Sequence, residues 1–239
     1  MATSQGGDGG GQSGAGVAGN GGAGGTGGEL IDIGAVWDIT GTQGAAGLVL
    51  QNLAGDGGTG GNAAISSSGV GGDGGDAGAI ALLTDADSEI STDEVAVSAV
   101  SVGDDGGRSV FSPVFGDRGG NGGKGGSIDF DTDSTGALSD GTWSLETTAT
   151  GAAGLVLRSQ GGVSGEGGEG SSETSGAGGT GGTARAATVG EGQRTITKEA
   201  GHGAVMRSIG GEGGDGARAG KASNRRAGNG GTGGSTNAV

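Results

Sequence analysis

Cysteine and tyrosine are absent from these 239 residues, proline occurs once, and aromatic side chains make up 2 %. Without cysteine there is neither a disulfide nor a thiolate metal site, which fits a reducing cytosol or a large secreted protein held together by stacking. So few aromatic residues exclude a conventional aromatic core. Basic charge is missing from residues 1 to 107, which hold 14 Asp and Glu and no Lys or Arg. The formal charge of -15 argues against a nucleic acid or an anionic membrane as partner, since either is repelled. No basic and then apolar leader follows Met1, and no run of 18 apolar residues occurs. Neither a signal peptide nor a membrane-spanning helix is therefore expected, and the pattern that breaks off at Val239 reads as part of a longer chain.

What is abundant is glycine, 69 residues of it. Composition alone suggests disorder, because such a chain buries little apolar surface against the roughly 1 to 2 kcal/mol of backbone entropy lost per ordered residue. The spacing argues for order instead. Between Gly19 and Gly28 the sequence runs GNGGAGGTGG, with the non-glycine residue recurring every third position. Periodic glycine of this kind lets bare backbones pack against one another.

Self-similarity is clearest between residues 44–52, GAAGLVLQN, and 151–159, GAAGLVLRS. Divergent copies fall at Val95–Ser101 and Gly203–Ser208, so that Ser4, Asn52, Ser101, Ser159 and Ser208 mark one phase. The period is near 49 residues, with an insertion of about nine near Asp129 to Asp140. This gives one repeat domain over 1–239, made of a partial unit 1–52, units 53–101, 102–159 and 160–208, and a truncated unit 209–239.

Each unit opens with two glycine boxes joined by a variable link, such as RSVFSPVF at 108–115. A period of three with two glycines suits polyproline II geometry, which has no internal hydrogen bonds, so the two boxes are expected to bond as a flat hairpin with Asp, Asn, Thr, Glu or Lys pointing outward. Period-2 apolar segments separated by Gly, Asp, Ser and Thr turns follow, including Leu30–Ile33 with Val36–Ile39, Ala79–Leu83, Ile128–Phe130 with Trp143–Leu145, and Val189 with Ile196. About 25 residues suit one coil of a parallel β-solenoid, in which Leu48, Leu50, Val97, Leu155, Leu157 and Met206 form an inner ladder. The expected fold is all-β: a parallel β-solenoid of about 49-residue repeats carrying polyglycine II hairpins.

These segments resemble the glycine-rich repeats of very large bacterial autotransporter passengers. The residues that carry the likeness are Ile196–Thr197 through Gly214, including Gly201-His-Gly203, and Leu145–Thr148 through Ser159. The resemblance implies an extracellular, cell-surface segment, secreted through an outer-membrane barrel that is not in this sequence, and serving as adhesin or stalk. The boxes also resemble mycobacterial glycine-rich surface repeats and the polyglycine sandwiches of phage tail-tip adhesins.

Chemistry-bearing patterns are few. His202 is the sole histidine and shares the repeat position of Ala46 and Ala153, so a turn role is expected rather than a Ser-His-Asp arrangement. Asp129, Asp131 and Asp133 alternate, with Asp140 at the twelfth place of a calcium-loop count. Ser134 stands where that loop requires glycine, and alternation along a strand places these carboxylates on its outer face with Phe130 inside. Calcium at Asp129, Asp131, Asp133 and Asp140 is retained as one alternative and ice binding by outward side chains as another, although Thr26, Lys124, Thr180 and Thr232 mix there with Asp73 and Asp76. The function expected is a non-catalytic structural or adhesive repeat segment with no cofactor. It partners neighbouring repeats by stacking or self-association, or else a host or cell-surface ligand. Residues 184 to 239 carry eight basic and four acidic residues, so the opposed ends favour head-to-tail contact unless the charges simply coat solvated faces.

Overall fold

The computed structural model of the chain describes residues 2–5, 18–32, 36–41, 44–62, 68–84, 86–111, 115–131, 141–148, 150–169, 177–185, 187–189, 194–198 and 202–217. Ordered structure among them is strand alone: β1 (Ala2–Gln5), β2 (Leu30–Asp32), β3 (Asp38–Thr40), β4 (Leu48–Leu53), β5 (Ile80–Leu82), β6 (Ser88–Thr92), β7 (Val97–Val102), β8 (Ile128–Phe130), β9 (Trp143–Thr147), β10 (Leu155–Gln160), β11 (Ala187–Val189), β12 (Arg194–Lys198) and β13 (Ala204–Ile209). Every strand pairs in parallel, forming three sheets. The first sheet has the order β1-β4-β7-β10-β13, the second β11-β8-β5-β2 and the third β12-β9-β6-β3.

The register follows the repeat. Ser4, Asn52, Ser101, Ser159 and Ser208 lie side by side across the first sheet. Period-2 alternation decides which side chains enter: in β4, β7 and β10 the first, third and fifth residues are buried and the intervening ones are not. Leu48, Val97 and Leu155 stack as one inner column, Leu50, Ala99 and Leu157 as the next, and Ile80, Ile128 and Ala187 as a third. Bulk alternates where large rings meet. Ser88 is the register partner of Trp143 and its hydroxyl accepts from the Trp37 amide at 3.0 Å, so no indole lies directly on another. Phe130 fills the gap beside Trp143, with ring centroids 4.9 Å apart. Met206, expected in the inner ladder, is 39 % exposed although its register partner Leu157 is fully buried. No described strand stacks on the far side of β13.

The sequence reading missed β6, whose residues Ser-Glu-Ile-Ser-Thr look like a polar loop. Its buried face is Ser88, Ile90 and Thr92, and the two hydroxyls are absorbed locally: Ser88 lies 2.9 Å from the Thr84 hydroxyl, and Thr92 donates to the Glu94 carbonyl at 3.1 Å.

Beyond the sheets the glycine boxes form two rows. Second boxes bond to second boxes of the next unit, as in Gly21 N–H to Val70 O and Gly74 N–H to Asn121 O. First boxes do likewise, as in Gly57 to Asp105 and Gly106 to Val163. The rows bond to each other in the opposite sense: Gly72 donates to Gly58 O within a unit, and Gly107 donates to Gly72 O between units. Of three successive residues, one glycine donates within its row, the next donates across, and the third residue faces out. Conformation does not require the glycines here, since among described residues a positive φ occurs only at Gly44, Gly151 and Asp131. Space does. A Cβ on Gly72 meets Gly22 O at 2.0 Å, and one on Gly120 meets Gly72 O at 2.0 Å.

The column of phase residues joins sheets to rows. Asn52 donates to Gly28 O and accepts from the Gly78 amide at 3.2 Å; Ser101 donates to Gly78 O at 3.0 Å and accepts from Gly126 N–H at 2.9 Å. Ser159 accepts from the Arg185 amide, and Ser208 donates to its carbonyl. Asn52, Ser101 and Ser159 are fully buried, so each of these polar side chains satisfies backbone groups that water does not reach.

Candidate functional site

The outward positions of the two rows form two side-chain grids, because every third residue in a box faces away from the opposite row. The first-box face carries Asp56, Asp105, Glu166, Glu169, Glu212 and Asp215 against Arg108. The second-box face is balanced, with Asp73 and Asp76 opposed by Arg118 and Lys124; Lys124 Nζ lies 3.7 Å from Asp76.

The outward acids and amides also have a structural task. An outward residue's own N–H points towards the preceding unit, where the row pattern supplies no carbonyl for it. Asp73 accepts the Asn121 amide at 2.7 Å, Asp76 that of Lys124 at 2.7 Å, Asn20 that of Val70 at 3.1 Å, and Asn121 that of Thr180 at 3.0 Å. On the other face Asp105 accepts from Val163 N–H at 2.8 Å. Each such carboxylate or amide stitches its unit to the next, which solvation alone does not explain.

Asp56, Asp104 and Asp105 converge, with carboxylate oxygens within 4.8 Å of one another. Asp56 and Asp105 are 49 residues apart, so superposing units would have found the pair. Asp104 departs from the rule, since it sits at an inner position next to an outward one and is only half-exposed. Burial, followed by a hydrogen bond to Asp56, pushes its carboxyl up to about 6. The group therefore holds a proton in mildly acid solution, when Asp104 donates to Asp56 instead of repelling it.

The calcium expectation meets a different geometry. Phe130 is buried and Asp129 half-exposed, as strand alternation requires. Asp131 is not on the outer face. It adopts a left-handed φ of 63°, the strand ends before it, and the carboxylate turns inward to full burial. One oxygen takes the Arg194 guanidinium at 3.2 Å from the next unit; the other has no hydrogen-bond partner among the described residues. The Arg194 charge compensates the buried carboxylate. Asp133 and Asp140 lie outside the described residues, as does Thr232 of the ice-binding reading. His202 is exposed, two residues before β13.

A cleft of about 470 Å³ crosses three first-box strands near the links, lined by Arg108, Phe111, Glu166, Glu169 and Asp215 over a floor that includes Ser109. Phe111 is 51 % exposed there, and Phe115, at the other end of the same link, is exposed too. An aromatic face among carboxylates and one guanidinium offers stacking and bidentate hydrogen bonding, but no nucleophile with an adjacent base.

No protein-family model matches the chain, and no curated protein matches it significantly. Among solved structures, a springtail antifreeze protein from Granisotoma rainieri, a nine polyproline type II helical bundle, is 18 % identical over 88 % of this chain and 99 % of its own, with a TM-score of 0.20. A likeness at that score carries no argument about this chain.

Proposed function

We propose that the chain is a non-catalytic structural segment: a parallel β-solenoid whose units carry polyglycine II hairpins, acting as a stalk or adhesive passenger segment at a bacterial cell surface. The observation that carries this reading is the single register running through the described residues. The same unit-to-unit register that aligns Asn52, Ser101 and Ser159 inside the sheets also aligns the glycine rows and the outward acid-to-amide contacts, the insertion near Asp129 to Asp140 leaving it in phase. Each unit lacks a core of its own and is stabilised by its neighbours, which suits a load-transmitting repeat. The passenger reading rests on the sequence resemblance.

Pulling a single chain from its two ends tests the mechanical role. A stack of this kind releases one unit at a time, adding about 170 Å of contour length per step for a unit near 49 residues at about 3.5 Å each. A featureless extension sinks the reading. Adhesion is separable from it: binding on a glycan array that is lost on Phe111→Ser with Phe115→Ser assigns adhesive work to the link tips, and no binding leaves the stalk alone.

A further inference from the structure

The cleft on the first-box face is built by the row register. Ser109 N–H donates to Glu166 O and Gly167 N–H to Asp215 O, so Arg108, Glu166 and Asp215 stand abreast on three successive strands, about 4.8 Å from one to the next. Glu169 follows Glu166 after one turn of the same strand, about 9.3 Å along it. The floor is closed. Ser109 is buried, and its hydroxyl donates to Gly69 O at 2.8 Å and lies 3.0 Å from the Ser68 hydroxyl. Phe111 is exposed at the wall, and the volume of about 470 Å³ falls in the range of small-molecule sites, about 300 to 1,000 Å³.

The carboxylates here are not taken up by the stack. Elsewhere the outward acid is the shorter aspartate, and Asp73, Asp76 and Asp105 each accept the amide of the next unit at 2.7 to 2.8 Å. Glu166 occupies the same position with one more methylene, and its carboxylate does not accept the Asp215 amide. Among the described residues no ion pair engages Arg108, Glu166, Glu169 or Asp215, although Arg108 and Glu166 are neighbours across one step. Three carboxylates against one guanidinium leave an excess of two negative charges beside an aromatic face.

A neutral ring stacks on Phe111 but gains nothing from excess negative charge, and an anion is repelled by it. An organic cation uses both features, through cation–π attraction to the ring and charge-assisted hydrogen bonds to the carboxylates. Spacing narrows the class. Glu166 and Asp215 lie close enough to share one ammonium group, and Glu169, one turn away, suits a second group at the far end of an alkyl chain. We propose that the cleft binds a linear diammonium ligand, a polyamine, with one ammonium between Glu166 and Asp215, the other at Glu169, and the methylene chain against Phe111. Arg108 opposes this site, because its charge repels the ligand and offsets Glu166. The site requires the first-box stack and is independent of the stalk or passenger role.

Isothermal titration of the 239-residue chain with hexamethylenediamine, and with hexylamine as the single-headed control, tests this. One saturable site is expected for the diamine, with hexylamine at least tenfold weaker. Glu166→Gln and Phe111→Ser are each expected to weaken the diamine at least tenfold, and Glu169→Gln to abolish its advantage over hexylamine. Arg108→Gln is expected to tighten binding at least threefold, the opposite of what a site for an anion or a sugar shows. Glu89→Gln removes an equal charge from the exposed face of β6 and is expected to leave the affinity unchanged. If Glu89→Gln weakens binding as much as Glu166→Gln, the attraction is to the net charge of the chain and the site is overturned. Weaker binding on Arg108→Gln overturns it too, as does no saturable binding by a chain with a β-type circular dichroism spectrum, which leaves the stacked repeat intact. A coil-like spectrum sinks the stack and the site together.

Discussion

Gly72→Ala isolates the role of the glycines. Gly72 sits where both rows meet: its N–H donates to Gly58 O at 2.8 Å, and its carbonyl accepts from Gly107 N–H at 2.7 Å. The added methyl meets the Gly22 carbonyl, 2.0 Å from its oxygen and 2.7 Å from its carbon, both backbone atoms that no rotamer change can move. Restoring an ordinary contact opens the two strands by about 1.5 Å. The flanking row bonds, Gly21 to Val70 and Gly24 to Asp73, both 2.9 Å, then stretch beyond about 4 Å and are lost. Two bonds at about 1 kcal/mol each, with overpacking of about 1 to 3 kcal/mol, outweigh the roughly 0.5 to 1 kcal/mol that alanine gains by restricting the unfolded chain. A net loss of about 3 kcal/mol in urea unfolding is expected. Gly151→Ala is the contrasting control: nothing lies within 4 Å of its Cβ, but its φ is +86°, so the cost is about 1 kcal/mol and purely conformational. If Gly72→Ala costs no more than Gly151→Ala, the rows are not packed backbone to backbone and the reasoning is refuted.

Ser101→Ala strands the Gly78 carbonyl and the Gly126 amide together, and a loss of about 3 kcal/mol is expected in the same assay, whereas alanine at outward Thr59 changes stability by less than about 0.5 kcal/mol. Arg194→Leu leaves the buried Asp131 carboxylate unpaired and costs about 3 kcal/mol at pH 7, with part of the loss recovered by adding Asp131→Asn. Asp104 gives a pH signature. Its folded pKa is raised, so its contribution is fully present below the unfolded value near 3.9 and is lost as pH rises through about 6. Solvent screening of this half-exposed group reduces the effect to about 1 kcal/mol, so Asp104→Asn is expected to melt higher than the parent at pH 7.5 and level with it near pH 4.

Much of the register was legible because a repeat copies its own neighbours. The five phase residues found by comparing GAAGLVLQN with GAAGLVLRS are the residues that align across the first sheet, and the glycine triplets told which positions face out. Three features were not legible, each for a physical reason. β6 is polar in sequence because its inward hydroxyls bond locally, so its hydrophobic periodicity is reduced to Ile90. Asp131 turns inward through a left-handed φ that no alternation rule anticipates, and its partner Arg194 comes from another unit. The outward Asp and Asn residues look like solubilising charge. Their work in accepting the next unit's amide appears only once the rows are seen to leave that donor without a carbonyl.

Residue-resolved amide exchange by NMR measures that pattern most directly. If the glycine boxes stack in the register described, the amides of Gly57, Gly58, Gly71, Gly72, Gly74 and Gly75 exchange slowly, as do the outward amides of Asn121, Lys124 and Val163 that Asp73, Asp76 and Asp105 accept. Glu166 and Glu212, opposite Arg108 and Val163, have no such acceptor in the preceding unit and exchange fast. Rapid, uniform exchange through residues 54–62, 68–79 and 103–107 would contradict the stacked structure and the function built on it.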